Sequence, residues 1–349
     1  MLRGAFRLLI LFDVADAIRL ETVRSHLGVA AERTPGFLRP APEYVRFESP
    51  PVVEPLSHSE GRIKYYEYGV VSVELEEPFC CDWPDLIAQS SRWIADASAE
   101  QRAIKILRPR LERFAVALVN PYGTWLNEDY YIISLLDAGE DLTADDLLAH
   151  HSGDVVQIVR GETSPLSEDE RREILQSRIS YFPTDLVIAG WNAALVWDTP
   201  AGAAPTMQLL EYANTQLLEY RHYDDLLTRV LHDVYASLEG DTTFFKRWTM
   251  ARRAEQLNTI RLDVMELAER TDNSIKFLSD MFYARLYRLA ASRVGVPDYR
   301  RLVEVKLRTA GELYEFMMDE FHQARGFVLE VMVVVILIIE IVFLFRGRG

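Results

Sequence analysis

Phe327 to Phe345 reads FVLEVMVVVILIIEIVFLF, and this run limits what the chain can fold into more than any other stretch. As a helix, nineteen residues at ~1.5 Å each reach about 28 Å, close to the thickness of one bilayer core. Thirteen of the nineteen are Val, Ile or Leu, and Arg325 and Arg346 flank them. A helix buried in a water-soluble core is rarely so apolar on every face. The run therefore predicts a single-pass membrane anchor over 326–349, with Phe327, Glu330, Val334, Ile338, Glu340 and Phe345 in the span. Glu330 and Glu340 lie near its ends, where long side chains reach the headgroups. Glu340 alternatively faces other helices in an oligomer, as intramembrane carboxylates do.

Ahead of that run the charge is uneven. The chain carries 38 basic and 53 acidic side chains, a net of −15. Residues 1–205 hold 19 of the basic and 32 of the acidic ones, a net of −13. Such a surface repels phosphate backbones, so direct nucleic-acid binding is not expected. Cys80 and Cys81 are adjacent, forming neither a CxxC pair nor a disulfide framework, which suits a reducing compartment. The apolar start is cut by Asp13 and Asp16, too soon for a signal peptide. The expected location is thus the inner membrane, with the bulk of the chain cytoplasmic and its C-terminus across the bilayer.

Periodicity divides the rest in two. Residues 1–205 read as an acidic α+β domain with a mixed or antiparallel sheet. Its expected strands are 5–12, 44–47, 63–73, 114–119, 130–136, 155–159, 186–189 and 193–197. Helices are expected over 14–27, 82–94, 98–111 and 143–150 and from Ser167, with Pro109 ending or kinking the third. Ser98 and Gln101 have capping-box spacing. After Ala201-Gly-Ala-Ala-Pro205, residues 206–325 predict a helical bundle or coiled-coil stalk. One long helix there sets Leu209, Ala213, Leu217 and Tyr220 on an apolar stripe, leaving Glu211, Asn214 and His222 largely outside it. Gln216 and Asp224 fall within the apolar arc and need hydrogen-bond partners, because burying them bare costs a few kcal/mol each. With Tyr220, Leu313, Met317 and Phe321 they form the expected set for helix packing and self-association. Residues 242–294 lack Gly and Pro and read as one helix with a weak point at 271–274.

Motifs for chemistry are sparse. Glu219-Tyr-Arg-His222 has ExxH spacing, but a di-iron bundle needs a second such pair. Asp319-Glu-Phe-His322 is the near match, and a solvated helix face is the simpler reading. No phosphate loop, dinucleotide fingerprint, nucleophile elbow or zinc pattern occurs. No catalytic, cofactor-binding or metal-ligating residue is assigned.

Several C-terminal segments are similar to one known family. They are Pro297-Asp298-Tyr299, Leu302-Val-Glu304, and Leu329-Glu330 followed by Leu337-Ile-Ile-Glu340. Tyr65-Tyr-Glu-Tyr-Gly-Val-Val71 and Ala88-Gln-Ser90 add to them. Together they resemble the membrane proteins called "required for meiotic nuclear division", whose bacterial members are termed YagE-like. That resemblance implies a non-catalytic, homo-oligomeric scaffold at the inner membrane, with the lipid bilayer and an unidentified protein as partners. Two alternatives stand beside it: a CorA-like divalent-cation transport component, and an enzyme whose site forms only through tertiary contacts.

Overall fold

The computed structural model describes residues 1–28, 45–47, 50–56, 61–138, 142–238, 252, 254–266, 275–277 and 281–346. The chain divides into two compact units, one of Met1–His222 with Thr271–Tyr299, the other of Tyr223–Arg270 with Arg300–Gly349.

The first unit is built on an eight-stranded mixed sheet. Its strands are β1 (Leu2–Ile18), β3 (Val52–Pro55), β4 (Gly61–Tyr65), β5 (Val70–Cys81), β6 (Leu118–Asp137), β7 (Arg178–Ile179), β8 (Leu186–Ala189) and β9 (Ala193–Trp197). Their spatial order is β3-β4-β5-β1-β6-β9-β8-β7. Every pairing is antiparallel except β6 with β9, which run parallel from Tyr131↔Ala193 to Leu135↔Trp197. β2 (Val45–Phe47) pairs with β10 (Ile275–Phe277) in a separate ribbon. That strand replaces the single helix expected across 242–294, much of which lies outside the described residues.

Alternation along β1 gives the sheet two unlike faces. Phe6, Leu8, Ile10, Phe12 and Val14 enter one apolar core. The layer over that face is α2 (Trp83–Ile94), α3 (Ala99–Arg113) and α4 (Ala144–Arg160), through Leu86, Ala103, Leu107, Leu147, Val155 and Ile158. Arg7 and Asp13 point to the opposite face, where α6 (Pro200–Leu238) lies. α1 (Leu20–Leu27), α5 (Glu168–Leu175), α7 (254–266) and α8 (Met281–Val294) are the other short α-helices among the described residues.

Local chemistry explains where the sequence pattern misled. The strand expected over 63–73 is a hairpin, because Gly69 at φ +96° turns the chain between Tyr66 and Val70. The strand expected over 155–159 is the end of α4. Thr143 and Asp146 form a capping box at its start, and Gly161 in the left-handed region closes it. Val155, Val156, Ile158 and Val159 are buried along that helix despite their strand propensity. Pro109 does not end α3, which continues to Arg113. The Arg110 guanidinium donates to the Ile106 carbonyl there (2.7 Å). The Ser98 side chain makes no capping bond.

In the second unit, Lys306 donates to Thr228 Oγ1 at 2.5 Å and pairs with Asp224 at 2.6 Å. α9 (Val296–Arg346) contains the apolar run. No helix among the described residues is long and apolar enough to cross a membrane. This corrects the anchor expected over 326–349, and with it the single-pass topology and the inner-membrane location. Glu330 and Glu340 part the run, leaving nine uninterrupted apolar residues between them. On a helix these span about 14 Å, half of a bilayer core. Glu330, Val334, Ile338 and Glu340 are exposed along α9. The side chains of Phe327 and Phe345 lie outside the described residues.

Candidate functional site: the ionic layer beneath helix α6

A strand buried on both faces is normally apolar. The α6 side of this sheet instead carries Arg7, Asp13, Arg62, Lys64, Ser72 and Glu74. Strand register assembles them: Arg7 sits opposite Glu76, and Arg62 opposite Glu74. Glu74, almost fully buried, accepts from Arg7 Nη1 (2.9 Å), Arg62 Nε (2.6 Å) and Arg62 Nη2 (2.7 Å). Lys64 stands 3.4 Å from it and also pairs with Glu211 on α6. Burial alone pushes the Glu74 carboxyl up. The nearby Lys64, Arg62 and Arg7 outweigh that and hold it at about 2. Three cations and the three carboxylates of Glu74, Glu76 and Glu211 make the layer neutral, the condition under which buried charge is tolerated.

A second cluster lies further along β1. His222 Nδ1 meets the buried Asp13 carboxylate at 2.6 Å. The Tyr122 ring stacks on His222 at 4.9 Å, and its hydroxyl donates to Asp16 (2.7 Å). Asn120, at φ +47°, donates to the same carboxylate (2.7 Å). Nearby, Arg221 pairs with Glu128. Burial raises Asp13, His222 pulls it back, and Asp16 adds to the rise, so the net shift is upward. Glu219, one turn before His222, is buried and raised well above the ordinary carboxylate range by burial and by the charges of Asp13 and Asp16.

The structure thus places Glu219 against the sheet, where the sequence favoured a solvated face. Residues 211–220 of α6 are all buried. Among the described residues no three His, Cys, Asp or Glu side chains are arranged to hold a metal ion. Gln216 and Tyr220 are buried within the first unit, and Gln216 accepts from Tyr287 on α8. In the second unit Met317 is fully buried and Leu313 half-buried, while the Phe321 side chain lies outside the described residues. Sequence pattern alone does not single out Asp13, Asp16, Arg62, Lys64 or Glu74. The available signal is a charged residue inside an otherwise apolar strand, as at Asp13 in LLILFDVADAI.

An eight-stranded mixed sheet with an apolar helical layer on one face and an ionic one on the other defines the class of this first unit. The chain belongs to the family described as "Uncharacterized protein MJ0711, N-terminal domain", whose match covers residues 3–204. It is similar to uncharacterized protein MJ0711 of Methanocaldococcus jannaschii, with 21% identity over 199 residues. The aligned stretch covers 57% of this chain and 61% of that protein, so the chain spans less than two thirds of its relative. No solved structure matches. The family match lies on the N-terminal half and overturns the resemblance to the "required for meiotic nuclear division" family, which rested mainly on the C-terminal half.

Proposed function

We propose that this chain is a non-catalytic assembly protein that associates with copies of itself through an aromatic edge of its first unit. One observation carries the reading. Tyr181 and Phe182, just before β8, are 53% and 61% exposed, with their rings 4.7 Å apart. Tyr181 also packs edge-on against Phe282 (5.0 Å), next to Met281 at 64% exposure. Tyr, Phe and Met are the side chains enriched where proteins meet, and exposed together they mark such a surface. The ionic layer supports that edge by position. It fixes α6, and α6 holds α8 through Tyr212 and Gln216 against Tyr287.

Two acidic copies repel, so association through an apolar edge should strengthen as salt screens the charge. Sedimentation of the full chain tests this at low and high salt. The expected result is a mass above one chain, rising with salt, and a shift toward one chain in Phe182→Asp. A wild-type protein that is a single chain at every concentration, or a Phe182→Asp variant with unchanged mass, overturns the reading.

A further inference from the structure

Glu219 differs from the other acids under α6. Glu74, Glu211 and Glu128 each meet a cation, and Asp13 meets His222. Glu219 is 6% exposed, and its Oε1 reaches no hydrogen-bond partner. The charges bearing on it are those of Asp13 and Asp16 on β1. From the other elements around it come neutral groups: Tyr122 on β6, and Tyr68 in the β4–β5 turn, whose hydroxyl donates to Thr215. Arg221, the nearby cation on α6, is engaged by Glu128 and the Asn127 carbonyl. An ionised Glu219 would place a third carboxylate beside two others at a position buried from solvent.

We propose that Asp13, Glu219 and His222 form a proton-dependent latch, in which neutral Glu219 lets α6 seat against β1 and its ionisation loosens residues 216–222. In the seated state Glu219 keeps its proton well above the ordinary carboxylate range, and in an opened state it releases it within that range. Seating is therefore strongest below about pH 4.5, weakens about tenfold per pH unit above it, and levels off once the seated Glu219 also ionises. Asp13, also raised, adds a slope of the same sign.

Hydrogen exchange of the full chain from about pH 5 to about pH 9, corrected for intrinsic amide rates, reads this as protection of residues 216–222. Wild type should lose protection with rising pH, and Glu219→Gln should reduce that slope by one proton, about tenfold per pH unit. Asp16→Asn, at an exposed position, removes a like charge and should move the levelling point to lower pH. It keeps the test open if Glu219→Gln does not fold. A carbonyl band of a protonated carboxyl should persist in the wild-type infrared spectrum at neutral pH. Protection independent of pH, a full slope in Glu219→Gln, an unmoved levelling point in Asp16→Asn, or a spectrum without that band overturns the latch.

Discussion

Replacing Glu74 by Gln perturbs the ionic layer at its centre. Its carboxyl is held at about 2, against an ordinary value of 4.5. That difference of about 2.5 pH units corresponds to about 3 kcal/mol favouring the folded state. The side chain is 3% exposed, so solvent screening takes little from that figure. Gln keeps the shape and removes the charge, leaving Arg7, Arg62 and Lys64 against Glu76 and Glu211 alone. Breaking a buried pair in this way costs about 3–5 kcal/mol. The stabilisation is present above the ordinary carboxylate pKa and is lost as pH falls through about 2. Urea unfolding at neutral pH should show the full deficit in Glu74→Gln, and toward about pH 2 the two proteins should converge. A deficit below about 1 kcal/mol at neutral pH, or a constant one down to strong acid, would refute the reasoning.

Alongside the sedimentation of Phe182→Asp and the exchange slope of Glu219→Gln, two further variants probe local structure. Gly69→Ala should destabilise by more than about 1 kcal/mol in chemical denaturation, because φ is +96° and a Cβ there overlaps the Ala15 carbonyl. Asp82→Ala should cost about 1 kcal/mol in the same assay, since its side chain accepts from Asp85 N at the start of α2.

Much of the first unit is legible in the residues. Leu186–Ala189 and Ala193–Trp197 read as paired strands, and Asp82 and Ser167 as helix starts, because each signal is local and complete within a few residues. Tertiary context decided the rest. Pro121 and Gly123 suggest a turn, yet Leu118–Asp137 is one strand, held against β1 with a shift between Asp13 and Ala15. Val14 to Leu27 has helical spacing, but pairing with β6 keeps the chain extended as far as Ile18. The ionic layer was harder to read, because Arg62, Glu74 and Glu211 become neighbours only through sheet register and the seating of a helix over a hundred residues away. The Glu219-x-x-His222 spacing was visible, but its inward direction depended on Asp13 lying beneath it.

The central place of β1 bears on how the molecule is made. Its partner on one side, β5, ends at Cys81, whereas its partner on the other begins only at Leu118. As synthesis passes the first hundred residues, β3, β4, β5 and β1 can pair while the far margin of β1 still shows its amides and carbonyls to solvent. A long apolar margin in that condition invites pairing with other nascent chains. The interval closes when residues 118–137 arrive, so slowing translation between those two points should raise aggregation more than slowing it after Trp197.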